Sequence, residues 1–252
     1  MVVYVNDRWY SDDKAKISVF DPGLFYSDGV FDTFRIYNGK AWCMKEHLNR
    51  LCSSCTYADI EYPGSAKLIK LVKAGYKKSK LVNAFVRIIV TSKSLIVIVM
   101  DRKEEFMRKV KLSLFSNSRE SPIVKSLNYF FTCIRRRIIQ PEYNDIVMID
   151  NNNCITECGT TNIFIVKNNK IYTPRDNMLY GEVRQVVINK FDVICKDIFE
   201  KDLMNADEVF VTGTANIIEP VIKIDFKKFK DGPITKKIAK FLKKDRLNGE
   251  LL

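Results

Sequence analysis

The chain has 252 residues, 46% of them hydrophobic and 29% charged, enough apolar material for a large buried core and too much for a disordered chain. The net charge of +12 raises nucleic acid as a partner, but the basic residues are spread over 73–80, 135–137, 227–230 and 236–244 without an interleaved aromatic pattern or a DNA-reading motif. Neither nucleic acid nor a membrane is therefore expected as a partner, and with His47 the only histidine, neither a histidine-based hydrolase nor a histidine-rich metal site is expected.

In chain order, strands are expected over 2–5, 8–10 and 30–37, then a turn at Asn38-Gly39 and a further strand over 41–44, a hairpin signature. Helical periodicity follows over 45–58 and 66–78, and strand character resumes over 84–91, 95–101 and 110–115. The apolar stretch 81–100 is broken by Arg87, Ser92, Lys93 and Ser94, so it reads as two strands joined by a polar turn rather than a membrane span. The polar run Ser116 to Pro122 lacks periodicity and ends in proline, which pushes its predecessor out of helix; it reads as a linker. Beyond it come a helix over 128–139, strands over 145–150 and 163–167, a helix from Gly181 towards Phe191, a short helix over 202–205, a strand over 208–211 and an amphipathic segment over 236–244.

These elements predict an α+β protein of two domains: a smaller one over 1–115, a linker over 116–124 and a larger one over 125–252. The opening residues run straight into the turn-like Asn6-Asp7-Arg8, so no signal peptide is expected. Seven cysteines without the spacing of a disulfide scaffold imply free thiols in a reducing, cytoplasmic setting. Cys52-Ser-Ser-Cys55 lies inside a helical pattern and reads as structural rather than redox-active.

Singly, no residue here announces a chemistry, but an ordered set does. Arg50 in His-Leu-Asn-Arg-Leu, Lys125 in Val-Lys-Ser-Leu-Asn-Tyr, Glu157 in Ile-Thr-Glu-Cys-Gly-Thr-Thr-Asn-Ile-Phe, and the helix start Leu179-Tyr-Gly-Glu-Val-Arg184 occur in sequence. The set resembles the ordered motifs of the fold type IV, or class IV, pyridoxal-phosphate enzymes, which include branched-chain aminotransferases, D-amino acid aminotransferases and 4-amino-4-deoxychorismate lyases. The resemblance spans nearly the whole chain and implies that fold, pyridoxal 5'-phosphate as cofactor, small amino acid and keto acid substrates, and a homodimer with its active site between the domains and close to the partner subunit.

The chemistry explains the residue types. The cofactor needs an amine that forms a Schiff base and then moves the substrate Cα proton, the role the resemblance gives Lys125. It needs a carboxylate facing its pyridine nitrogen, the role of Glu157. Its phosphate wants a guanidinium fork and free N–H groups at a helix start, which Arg50, Glu182 and Val183 would supply. Glu182 stands where an isoleucine is common in the family, so its side chain should turn outward and only its N–H be used. Tyr129 resembles the tyrosine that donates to the cofactor's phenolic oxygen. Thr214 and Ala215 in Gly213-Thr-Ala-Asn resemble the turn touching the phosphate and the substrate carboxylate.

For the reaction, Phe85-Val-Arg87 aligns with the tyrosine-x-arginine strand of the branched-chain enzymes, and Tyr26 and Phe31 align with their side-chain pocket. Phe85 lacks the tyrosine's hydroxyl, making the pocket more apolar. An L-specific transaminase for branched-chain or other hydrophobic amino acids is the expectation. The Gly-x-Phe-x-Thr-x-Arg pattern ending at Arg35 also occurs in D-specific enzymes and lyases, so a D-amino acid aminotransferase and an aminodeoxychorismate lyase stay open. The segment 90–95 is shorter than in most relatives, so any substrate contacts made there are lost or replaced.

Overall fold

The computed structural model describes residues 1–252, which divide into two compact units. The first unit comprises Met1–Lys103, Val124–Asn128 and Asp245–Leu252. Its strands are β1 (Val2–Val5), β2 (Arg8–Ser11), β3 (Val30–Tyr37), β4 (Lys40–Ala41), β5 (Asn83–Val90) and β6 (Leu95–Met100), and its helices are α1 (Pro22–Phe25), α2 (Met44–Tyr57) and α3 (Ser65–Ser79). The last strand of the protein, Glu250–Leu251, pairs with β4 and completes an antiparallel sheet in the order last strand-β4-β3-β5-β6-β1-β2.

Alternation along these strands builds the core. In β6, Leu95, Val97 and Val99 are buried and Ile96, Ile98 and Met100 are half-buried, the period-two signature of a sheet with one face packed on helices. The buried face meets α2 and α3. α2 buries Met44, His47, Leu48, Leu51, Ser54 and Cys55, the i, i+3, i+4, i+7 spacing of a helix laid on a sheet. Together with Val30, Phe34, Ile36, Val86, Ile88, Leu68 and Val72, the apolar members of that helix face form one cluster.

The second unit comprises Glu104–Ile123 and Tyr129–Lys244. Its strands are β7 (Val110–Ser116), β8 (Asp145–Ile149), β9 (Cys154–Cys158), β10 (Asn162–Lys167), β11 (Lys170–Pro174), β12 (Val193–Lys196), β13 (Ile198–Phe199), β14 (Glu208–Gly213), β15 (Ile217–Ile224) and β16 (Lys227–Lys228). They form a mixed sheet in the order β12-β11-β10-β14-β15-β7-β8-β9-β13, with β16 on β15. The helices are α4 (Phe130–Ile139), α5 (Glu182–Lys190), α6 (Glu200–Met204) and α7 (Pro233–Asp245). A separate apolar cluster, including Val110, Val147, Ile163, Ile165, Val209, Val211, Val221 and Ile224, is its core.

Several expectations shift. The strand expected over 41–44 ends at Ala41, because Cys43 takes a left-handed φ of 52° and α2 starts at Met44. The units are also composed differently from the expected division at a 116–124 linker. β7 belongs to the second unit because it pairs in parallel with both β15 and β8. Residues 124–128 belong to the first, where Ser126 bridges Val30 and Leu127 N–H donates to Gly29 O. The C-terminal residues return to the first unit through the pairing on β4. No helix is long and apolar enough to cross a membrane.

Candidate active site

In the first unit, the register of β3 against β5 sorts the expected site residues by face. Phe31 lies opposite Ile89, Thr33 opposite Arg87 and Arg35 opposite Phe85, so these side chains leave the sheet on the side away from α2 and α3. Lys125 arrives there by backbone pairing: its carbonyl accepts from Phe31 N–H at 2.9 Å and its N–H donates to Ser54 Oγ at 3.3 Å. Its ammonium then stands 4.9 Å from the centroid of the Phe31 ring, and the Arg87 guanidinium 4.8 Å from the same centroid. Lys125, Phe31 and Arg87 are thus one group. Phe85 is buried on the same face, with Arg35 and Arg102 over its ring at 5.2 and 4.9 Å.

Tyr26 does not join that packing within the first unit. It is 76% exposed at the end of α1, its ring edge-on to Phe25. The short turn between β5 and β6 has a definite use here: the hydroxyls of Thr91 and Ser94 donate to Asp21 Oδ2, while Gly23 N–H donates to Asp21 Oδ1 at 2.8 Å. The turn thereby anchors the start of α1.

Arg50 projects from α2 towards the even-numbered face of β3. Its Nε donates to Asp32 Oδ2 and its Nη2 to Asp32 Oδ1, each at 2.8 Å, and His47 Nδ1 lies 2.7 Å from Asp32 Oδ1. The Nε/Nη2 edge of the guanidinium is therefore turned onto a protein carboxylate. Burial pushes the Asp32 carboxyl up, but the charges and hydrogen bonds of Arg50 and His47 outweigh it and hold the group well below the ordinary carboxylate range. Burial pushes the His47 imidazole down and outweighs Asp32, so His47 is neutral and donates its Nδ1–H. Asp32 and His47 escaped the sequence reading, although His47 and Arg50, three apart on one helix, share a face.

In the second unit, Glu157 sits on β9 and is 3% exposed. Its Oε2 accepts from Leu179 N–H at 3.4 Å and its Oε1 faces Arg119 Nε at 3.2 Å. Asn162 on β10 takes the other side of the same residue, donating to Leu179 O at 2.7 Å. The backbone is thereby delivered to Gly181, the N-cap of α5, which has no side-chain cap. With no capping side chain at this end, the N–H groups of Glu182 and Val183 stand at a helix start suited to an anion. Tyr129 is the N-cap residue of α4 rather than a core aromatic within it, with the Arg119 guanidinium 4.5 Å from its ring centroid.

Thr214 and Ala215 form the turn between β14 and β15. Asn216 fixes it, donating to Glu219 Oε1 at 2.9 Å and accepting from Glu105 N–H at 3.2 Å. Ile217, the next residue, has φ of 67°, a left-handed conformation that a β-branched side chain adopts only under constraint. Arg119 also escaped the sequence reading, and Asn162 and Asn216, although inside the quoted motifs, were given no role there; Arg119 carries no local signal because its partners are remote in sequence.

A family model described as amino-transferase class IV matches residues 29–224. A putative branched-chain-amino-acid aminotransferase of Methanocaldococcus jannaschii is 31% identical, with 96% of each chain covered. A D-alanine aminotransferase of Listeria innocua is 28% identical over 100% of this chain and 99% of the relative. Among solved structures, the branched-chain aminotransferase of Thermoproteus uzoniensis with norvaline is similar with a TM-score of 0.88 at 26% identity, covering 97% of this chain and 94% of that one.

Proposed function

From the premise that this chain belongs to the class IV aminotransferases and takes pyridoxal 5'-phosphate as its cofactor, we propose that it moves an amino group between an L-amino acid with a branched-chain or other hydrophobic side chain and a 2-keto acid. The observation that carries the substrate reading is the shared face of β3 and β5, which sets the aromatic rings of Phe31 and Phe85 on the same side as Arg87. A hydrophobic side chain gains from such a surface at about 1–3 kcal/mol per methylene, while the guanidinium suits a carboxylate. The likeness to the M. jannaschii relative supports the same reading.

The residues fit the cofactor in three respects. Lys125 is held by its backbone while its amine stays on the aromatic face, Glu157 is a buried carboxylate held from two sides, and α5 opens without a side-chain cap. When bound, the cofactor supplies an electron sink for the negative charge left when the substrate Cα loses its proton. Lys125 would hold it covalently through Nζ, and its amine would carry the substrate Cα proton. Glu157 would face the pyridine nitrogen, and Tyr129 would donate to the phenolic oxygen. Arg50, the N–H groups of Glu182 and Val183, and Thr214 would hold the phosphate. With its Nε/Nη2 edge on Asp32, the Arg50 guanidinium would meet the phosphate through its other N–H groups. Phe31, Phe85, Arg87, Tyr26 and Ala215 line the substrate.

A homodimer in the cytoplasm completes the reading. Val19, Phe20, Leu24, Phe25 and Tyr26 are each more than half exposed within one short stretch, apolar surface suited to burial against a second copy. All seven cysteines are free thiols, which suits a reducing compartment. Light scattering of the purified protein tests the dimer.

The function is tested by supplying the purified, cofactor-loaded protein with L-leucine, D-alanine or aminodeoxychorismate, with 2-oxoglutarate as acceptor for the amino acids. Keto acid from L-leucine supports the proposal. Product from D-alanine alone would make the enzyme D-specific, and 4-aminobenzoate with pyruvate from aminodeoxychorismate alone would make it a lyase.

A further inference from the structure

Arg119 lies in the polar run 116–122, whose composition reads as a solvated linker, yet its side chain is only 9% exposed. A guanidinium leaves water at a high cost, so its surroundings must make specific use of it. Three contacts in the second unit do so. Nε faces Glu157 Oε1 at 3.2 Å, Nη2 donates to Gly159 O at 3.0 Å, and the guanidinium carbon stands 4.5 Å from the Tyr129 ring centroid. The Nε–H finds no aligned hydrogen-bond acceptor, so its attraction to Glu157 is that of an ion contact. Burial pushes the guanidinium down, but the charge of Glu157 and the hydroxyl of Tyr129 outweigh it, with a smaller part from Asp145. Asp145 is itself countered by Arg136 at 3.6 Å and by two contacts from Thr160.

We propose that Arg119 is a positioning residue that fixes Glu157 and Tyr129 in one arrangement and sets the proton affinity of the bound cofactor. The inference rests on the reading in which Glu157 faces the pyridine nitrogen and Tyr129 the phenolic oxygen. The bond to Gly159 O ties the guanidinium to the backbone two residues past Glu157, so the carboxylate cannot rotate without breaking the ion contact. A carboxylate that shares its charge with a guanidinium presents less negative potential to a facing nitrogen, and a phenol beside a cation is a stronger donor. Both effects act in one direction: the bound cofactor gives up its proton at lower pH than Glu157 alone would dictate.

The test is the pH titration of the cofactor's visible absorption band in the loaded wild-type, Arg119→Gln and Arg119→Lys proteins, read beside kcat and KM. Removing the positive charge in Arg119→Gln should raise the midpoint by about one pH unit, a tenfold gain in proton affinity. Arg119→Lys keeps the charge but not the flat two-point contact, so its midpoint should stay near wild type while kcat falls and KM changes little. A folded, loaded Arg119→Gln protein with the wild-type midpoint overturns the proposal and leaves Arg119 a structural residue. Should Arg119→Gln not fold, a wild-type kcat in Arg119→Lys overturns it equally. A wild-type protein showing no visible band would bring down the cofactor roles beneath the proposal, a result distinct from a band whose midpoint does not move.

Discussion

Arg50 closes its guanidinium on Asp32, with Nε 2.8 Å from Oδ2 and Nη2 2.8 Å from Oδ1, on the helix-covered face of β3. Asp32 is 1% exposed and the Arg50 side chain 11%, so the pair is removed from water and depends on both partners. Asp32→Asn leaves a buried guanidinium without its carboxylate, which costs about 3–5 kcal/mol. For a protein of this size the melting temperature should fall by roughly 6–20 °C. Calorimetry measures this directly, and an unchanged melting temperature would show that the pair contributes nothing to the first unit.

His47 shares the same carboxylate and makes stability depend on mild acid. Burial lowers its pKa from the ordinary value of 6.5, so the unfolded protein binds this proton more readily than the folded one. Stability therefore rises with pH through the window just below 6.5 and is lost as pH falls. His47→Asn removes the titration, and its melting temperature should change less between about pH 7 and pH 5 than that of the wild type. Equal slopes in the two proteins would exclude His47 as the source.

The proposed cofactor roles separate by substitution. Lys125→Ala should abolish both turnover and the cofactor's visible band while leaving the melting temperature near wild type, because the Lys125 N–H and C=O hold the backbone and the side chain is not in the core. Glu157→Gln should still bind cofactor but lower kcat by about 10²–10³, the usual loss when one preorganised electrostatic partner is removed. Turnover retained by Lys125→Ala, or an unchanged kcat in Glu157→Gln, would remove that residue from its role.

Much of this was legible in the sequence where one physical signal dominated. The strand 30–37 and helices α2 and α3 follow from their patterning, and the family of the chain from its ordered motifs. β9 was not read as a strand because Thr156 and Glu157 are buried among its apolar residues, which breaks the alternation that marks a strand. The apolar run Ala41, Trp42 and Met44 could not announce that Cys43 would turn left-handed and end the strand. Arg119 was illegible for another reason: a polar, proline-ended run reads as solvated, and nothing local tells of a carboxylate 38 positions away.

Gly181 gives the last prediction, and the argument concerns space rather than backbone freedom. Its φ of −71° is open to any residue. The position a Cβ would occupy is already filled by the carboxamide oxygen of Asn162, a residue 6% exposed and fixed by its bond to Leu179 O at 2.7 Å. Gly181→Ala must therefore displace Asn162 or shift the start of α5, at about 1–3 kcal/mol. Either change moves the N–H groups of Glu182 and Val183, so affinity for pyridoxal 5'-phosphate should weaken by about tenfold for each 1.4 kcal/mol lost there. Adding Asn162→Ala vacates the space and should return part of that affinity. Equilibrium titration with the cofactor decides it: wild-type affinity in Gly181→Ala would mean that the opening of α5 does not hold the phosphate.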